Sequence, residues 1–485
     1  MVRLPFRIFS ACAATLLTAG CATTTGSVDI SDPQSGFTTV AMRSRAATGK
    51  TPVWVQSNAQ AQALAEQVGR LVKSGPVGPD MAVQVALLNN KGLQAAYADI
   101  GLSAADVWQE SLLVNPRVSV GIMTLDAVRT VEAAVVSNIL ALMTRVKRVA
   151  VADARFRQAQ LRAAEETMRL AADTRRAWVN AVAAQETVGL LGQAQVSADA
   201  AAELARKLGE TGAFSKTGQA REFVFNAELA GEAAQARLDA RQTREELTRL
   251  MGLWGQDIAY KLPVRLPGLP KGVYGRSAIE REALQQRVDL EIARLELEAL
   301  AREYKLTEAT RYLTDLELLT GVEVEREEEE DGETKNVATP RIEVEFVIPV
   351  FDTGKPRMRK AELAYMQAAN RLAEKAVNVR SQARSAFDAY RSTYDIARHY
   401  RNSVVPLRKK IEEESVLTYN GMITNTFELL ADTRARIEAN IQALRARQSF
   451  WIADVNLGTA VHGGGAAASS ETVTASAADG DGAGH

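Results

Sequence analysis

From Leu316 to Val350 the chain twice alternates apolar and polar side chains with a period of two. Leu316, Leu318, Val322 and Val324 alternate with Asp315, Glu317, Gly321 and Glu323. On the return Ile342, Val344, Phe346, Ile348 and Val350 alternate with Arg341, Glu343, Glu345 and Val347. Period two puts each apolar set on one face of a strand and the carboxylates on the other. Each strand is about 10 residues, the length a tilted strand needs to cross a bilayer, and apolar-out, polar-in is the pattern of a membrane barrel with a wet interior. A soluble hairpin packed on a helix would alternate in the same way, so both readings stay open at this point. Between the strands EREEEEDGETKNV, Glu325 to Val337, reads as an elongated exposed loop. An earlier pair is less regular. Val118, Val120 and Ile122 alternate after Pro116, but Val131 to Leu140 alternates poorly and the connection is short, which predicts a shallower or more rigid hairpin.

Elsewhere the apolar period is that of helices. Moderate helices are predicted over Asp80 to Leu113 and Ala278 to Ala309, before each strand pair. Val146 to Gly209 contains no proline and can run unbroken, at 1.5 Å per residue a rod of ~95 Å. Within it Val149, Phe156, Ala163, Leu170 and Ala177 recur every seven residues, while Leu161, Met168 and Val182 keep a second seam on the same period. The seams lie roughly 140° apart around the helix, so this helix requires a neighbour on each side, as in the wall of a tube. A simple bundle helix needs one broad stripe. Pro356 to Tyr419 repeats the length, with Gly192 and Pro406 as expected bends in the two copies.

That repetition extends through most of the chain. Ala86, Leu87 and Leu93 recur as Ala283, Leu284 and Leu290 at an offset of 197. Thr144, Arg148, Arg175, Ala177, Trp178, Leu208 and Gly212 recur as Thr353, Arg357, Arg384, Ala386, Phe387, Leu417 and Gly421 at an offset of 209. Two stable offsets in order argue for a duplicated unit of roughly 180 residues. The change of offset places an insertion in the acidic stretch of the second strand pair.

Composition narrows the class. The 485 residues are rich in Ala, Leu, Glu, Arg and Gln, only 6% are aromatic, and Pro numbers 13, the signature of long helices. A net charge of −1 gives no general attraction to nucleic acid. The only cysteines are Cys12 and Cys21. Leu17, Thr18, Ala19, Gly20 and Cys21 match the signal-peptide end at which bacterial lipoproteins are cut and acylated, with Thr18 where Leu is usual. Arg3 and Arg7 supply the positive start, and Ile8 to Leu17 is too short to span a bilayer. Acylation is therefore expected at Cys21, and Ala22 after it resembles an outer-membrane address. The expected organisation is a signal peptide over 1–20, a lipidated tether over 21–50, a peripheral helical segment over 51–79, repeats over 80–254 and 278–461 joined by a linker over 255–277, and a disordered Gly/Ala/Ser-rich tail over 462–485.

Two stretches then carry a family resemblance, VIPVFDTGKPR at Val347 to Arg357 and LTYNGMITNTFELL at Leu417 to Leu430. With the order of helix, strand pair and long helical hairpin given twice between Asp80 and Ala460, the chain resembles the TolC-type outer-membrane efflux proteins. Its first hairpin tip, LGETGAFSKTG at Leu208 to Gly218, keeps Gly212 but lacks the aromatic that precedes the glycine in the second. The resemblance implies a fold that is mainly α with a small β part, assembled as a homotrimer whose 12-stranded barrel continues into a periplasmic α-helical tunnel. The need for closure is also physical, since a four-stranded sheet has two unpaired edges that cannot face lipid.

The implied role is an outer-membrane exit channel, a passive conduit that receives cargo from an inner-membrane pump through a periplasmic adaptor in efflux or type I secretion. A lipid-anchored, non-conducting periplasmic scaffold or adaptor made of long helical hairpins is the alternative. Residues at the tips acquire roles from the resemblance. Glu428 and Asp432 are gate candidates, as rings of carboxylates around a narrow lumen. Leu208, Gly212, Tyr419, Asn420 and Gly421 are candidates for docking an adaptor, though the glycines would also serve helix ends by adopting positive φ. The lipid face of the strands is Leu316, Leu318, Val322, Val324, Ile342, Val344, Phe346, Ile348 and Val350. No enzyme, cofactor or metal site is implied. His399, His462 and His485 are the only histidines, and no nucleophile triad or phosphate loop occurs.

Overall fold

The computed structural model describes residues 28, 32–125, 128–273, 275, 278–328, 334–421 and 426–464. The expected signal peptide, Cys21 and most of the expected tail lie outside these residues. Each repeat contains a pair of shorter helices, a β-hairpin and a long helical hairpin. The first runs α3 (Pro79–Asn89), α4 (Lys91–Ser111), β1 (Arg117–Leu125), β2 (Val128–Asn138), α5 (Ile139–Glu210) and α6 (Lys216–Met251). It is preceded by α1 (Phe37–Thr48) and α2 (Asn58–Lys73). The second runs α7 (Ile279–Gln286), α8 (Val288–Ala309), β3 (Leu316–Glu328), β4 (Thr334–Phe346), α9 (Lys355–His399), α10 (Val405–Asn420) and α11 (Thr426–His462).

The duplication is visible in the backbone. Each of the two moderate helices expected as one piece is broken, at Asn90 (φ −67°, ψ 119°) and at Arg287 (φ −69°, ψ 116°), positions 197 residues apart. Different side chains hold the two breaks. Asn90 accepts at Oδ1 from the Leu93 N–H at 3.1 Å and donates from Nδ2 to the Leu250 carbonyl at 3.0 Å. Arg287 donates to both carboxylate oxygens of Asp289 at 2.9 and 3.0 Å, with each side chain only 10% exposed. An α-helix cannot tolerate ψ near 120°, and at Asn90 the side chain satisfies one backbone N–H freed by the break, whereas the Arg287–Asp289 pair caps no backbone group.

The rod α5 is longer than expected, 72 residues or ~108 Å. It starts directly on β2, with Asn138 Oδ1 accepting from the Ala141 N–H at 2.7 Å as N-cap. Its two seams do meet two neighbours. Phe156 and Ala163 pack with Leu87, Leu93 and Tyr97 of α3 and α4, whereas Leu161 and Met168 pack with Val288 and Ile292 of α8. Gly192 interrupts nothing, because a lone glycine removes no hydrogen bond. Pro406 does: it lacks an N–H, and ahead of it residues Tyr400–Val404 form a π-turn in which the Val405 N–H reaches back to the Tyr400 carbonyl. Trp178 and its counterpart Phe387 are both buried core residues, in separate clusters.

The four strands form one antiparallel sheet in the order β1-β2-β3-β4. Its register puts Val118, Val120 and Ile122 opposite Val135, Ala133 and Val131. Leu316, Leu318, Val322 and Val324 share that face with Ile342, Val344 and Phe346, so one apolar face crosses all four strands. Two expectations are corrected. Pairing ends at Phe346, so Ile348 and Val350 lie beyond the strand: Pro349 can donate no ladder bond, and the Val350 N–H turns back to the Ile348 carbonyl at 2.9 Å. The acidic stretch is largely strand, since β3 continues to Glu328 and β4 begins at Thr334; the insertion lengthens a hairpin, and residues 329–333 lie outside the described residues. The first hairpin is the shorter, as expected, with strands of 9 and 11 residues against 13 and 13, and Val128 at its top pairs with Glu327.

Within the segment expected as a tether, α1 is docked. Phe37, Val40 and Ser44 are buried, Phe37 meets the ring of Tyr97 edge-on at 5.0 Å, and Arg43 pairs with Glu291 of α8 at 2.9 Å.

Candidate functional site

The ends of the two helical hairpins farthest along the chain from the sheet carry the gate and docking candidates. At the first tip α5 ends at Glu210, and Gly212 turns the chain with φ +75°. The Leu208 carbonyl accepts from the N–H groups of Ala213 and Phe214 at 2.9 and 3.2 Å, and Ser215 caps α6 by accepting from the Gly218 N–H at 3.0 Å. Leu208 is half-buried and Gly212 exposed. Gln219 of α6 lies across Gly209, where a Cβ would overlap it, and donates to the Ala205 carbonyl at 3.1 Å. This tip does have an aromatic, Phe214, after the glycine rather than before it. Its ring fills the space where a Cβ on Gly218 would lie, 2.8 Å away.

At the second tip α10 ends with Tyr419, half-buried, and Asn420. Gly421 follows with φ −79°, not the positive value that would explain a glycine by backbone conformation alone, and its N–H donates to the Leu417 carbonyl at 3.0 Å. Residues 422–425 lie outside the described residues. Glu428 occupies the first turn of α11, where the helix dipole favours an acid, and its side chain is exposed. Asp432, one turn later, is half-buried and accepts a short hydrogen bond from the Ser415 hydroxyl of α10.

Below these two carboxylates α11 is tied to both neighbours. Arg434 and Arg436 are two residues apart and so point roughly 200° apart around the helix. Arg436 pairs with Glu412 of α10 at 2.8 Å. Arg434 pairs at 2.8 Å with Glu222 of α6, whose side chain is only 3% exposed, and its guanidinium lies 4.1 Å from the centre of the Phe225 ring. One turn deeper Ile437 and Ile441 pack on Leu191, Leu229 and Ala233 of the first hairpin. The two hairpins are thus clamped at the level of Arg434. Sequence reasoning missed this clamp; the closely spaced Arg434 and Arg436, on opposite sides of one helix, were the available signal.

No helix among the described residues is long and apolar enough to cross a membrane, and among them no group of three or more His, Cys, Asp or Glu could hold a metal ion. The sheet's second face is polar. It carries Glu132, Glu317, Glu323, Glu325, Glu343 and Glu345 against Arg117, Lys335 and Arg341; Arg341 bridges Glu132 and Glu343 at 2.6 and 2.8 Å.

No protein-family model matches the chain, and no curated protein matches it. Solved structures do. The Campylobacter jejuni CmeC outer membrane channel matches with a TM-score of 0.65 at 17% identity, over 80% of this chain and 86% of that one. The outer-membrane channel OprN matches with a TM-score of 0.64 at 16% identity, over 91% and 97%. The open state of the Neisseria gonorrhoeae MtrE outer membrane channel matches with a TM-score of 0.64 at 17% identity, over 82% and 89%. The chain has the fold of the TolC-type outer-membrane efflux channels.

Proposed function

We propose that the protein is an outer-membrane exit duct, anchored by an acylated Cys21, in which three copies close their sheets into a 12-stranded barrel above a periplasmic tunnel of helices. The observation that carries this reading is the four-stranded sheet: one continuous apolar face, one charged face, and two unpaired edges at β1 and β4. Edges cannot face hydrocarbon, so a membrane-spanning sheet of this size requires further copies. A non-conducting scaffold has no use for such a sheet.

Cargo would enter at the hairpin tips, handed over by an adaptor and an inner-membrane pump. Leu208, Gly212, Tyr419, Asn420 and Gly421 would form the adaptor's footing. Opening the tunnel there requires α10 and α11 to move away from the first hairpin, and the Arg434–Glu222 pair resists that movement. Glu428 and Asp432 would line the constriction as threefold rings. The excess of glutamates over basic residues on the sheet's inner face favours cations in transit. The reading is tested by extracting the protein from fractionated envelopes and weighing it in detergent. An outer-membrane particle of three copies is expected; a single-copy particle recovered without membrane contradicts it.

A further inference from the structure

Directly after β2 and β4 the chain carries further exposed apolar side chains, joined there by positive charge. Leu142, Met143 and Val146 on the first turns of α5 are exposed, and Lys147 beside them is exposed as well. Below β4, Ile348, Val350 and Phe351 project from the loop into α9, Phe351 with 101% of its surface free. The helix then opens with exposed Lys355, Arg357, Arg359 and Lys360. Arg357 lies 3.8 Å from Asp352 and Arg359 2.8 Å from Glu362. Lys147, Lys355 and Lys360 have no ion-pair partner among the described residues.

These two patches leave the sheet at one level. Asn138, from which α5 starts, pairs with Glu317, and Phe346, from which the loop starts, pairs with Leu316. They hang from β2 and β4, two strand spacings or about 10 Å apart. The junction is braced by Asn138 Nδ2 donating to Asp315 at 3.3 Å and by Arg311 Nε donating to the Thr353 carbonyl at 3.1 Å. At the opposite rim the apolar face stops at Val324 and Ala338, and the next residues on it are Arg326 and Asn336. That rim carries the acidic run from Glu325. The exposed basic side chains therefore belong to the helix starts on α5 and α9, while the sheet's own charged residues at that level, Glu317 and Glu345, lie on its opposite, polar face.

Bulky apolar side chains beside unpaired lysines suit neither water nor hydrocarbon. They suit the boundary between acyl chains and headgroups, where the apolar groups sink and the ammonium groups reach outward to phosphate. We infer that this strand-to-helix junction is a binding surface for anionic phospholipid in the leaflet on the helix side. The inference rests on the reading of the sheet as membrane-spanning. Continuity with the apolar sheet face and complementarity of charge make the occupant a lipid leaflet, and the three lysines supply its preference for a net negative headgroup.

The test reconstitutes the full-length protein into bilayers of equimolar phosphatidylethanolamine and phosphatidylglycerol and counts retained lipids by native mass spectrometry. Phosphatidylglycerol should be enriched at least about threefold in the lipid retained by the wild type. Enrichment should fall to parity in a Lys147→Gln/Lys355→Gln/Lys360→Gln variant of unchanged oligomeric mass, and should persist when the three lysines are replaced by arginine. Equal retention of both lipids by an inserted wild type overturns the inference and leaves the channel reading intact. Unchanged enrichment in the glutamine variant also overturns it, as does loss of oligomeric mass in that variant, which would mean that the lysines face a neighbouring copy. A wild type that enters no bilayer overturns both readings.

Discussion

Gly354 and Gly212 both have positive φ, +73° and +75°, but they are not equivalent. A Cβ on Gly354 would lie 2.9 Å from the backbone oxygen of Arg311, whereas nothing lies within 4 Å of one on Gly212. Gly354→Ala should therefore lower stability by about 2–3 kcal/mol, because a backbone neighbour cannot rotate away, and Gly212→Ala by only about 1 kcal/mol. Denaturant midpoints of the two variants check the difference. Glu165 is a second residue with a measurable signature. Burial, and next the negative charge of Asp289, push its carboxyl above the usual range, while Lys375 and Arg169 oppose the shift and Glu166 adds to it. A carboxyl raised in the folded state takes up its proton before the unfolded chain does, so its contribution to stability is fully present below the unfolded value and is lost as pH rises through the folded one. Glu165→Gln should accordingly be more stable than wild type at pH 8, and the advantage should vanish in acid. Unfolding curves at pH 4 and pH 8 measure it.

At the scale of the element, period-two alternation assigned side chains to the correct faces because that period depends on the backbone alone. Ile342→Lys, in the middle of the apolar band, should cost about 2–4 kcal/mol and reduce insertion into bilayers. Glu343→Lys, on the other face, should leave insertion unchanged and shift ion preference toward anions. Strand ends were less legible. Ile348 and Val350 keep the parity of the strand after pairing has stopped, and parity carries no information about Pro349 or the end of the partner strand. The acidic stretch read as a loop because its composition is poor in strand formers. Pairing overrides that weak preference, since Glu323, Glu325 and Glu327 find partners in β2. Both helix breaks were invisible for a related reason: neither Asn90 nor Arg287 is a strong breaker, and each is held by contacts to residues far away in sequence, Leu250 and Gln382 among them.

For the whole molecule the duplication, the order of elements and the two-sided contacts of α5 were all legible, since each repeats over tens of residues. The clamp between the hairpins was not, because Glu222 and Arg434 meet only after both hairpins have folded. Removing Arg434 leaves Glu222 buried without a counter-charge, a local loss of about 3–5 kcal/mol, so the variant should loosen the tips while the sheet and the cores nearer to it persist. A gated water-filled duct formed by this sheet and these hairpins must pass ions, which single-channel current across a planar bilayer measures. Wild type should give small, cation-preferring currents that grow in Arg434→Ala and in Glu428→Ala. A folded, membrane-inserted protein that passes no current in any of the three would contradict it.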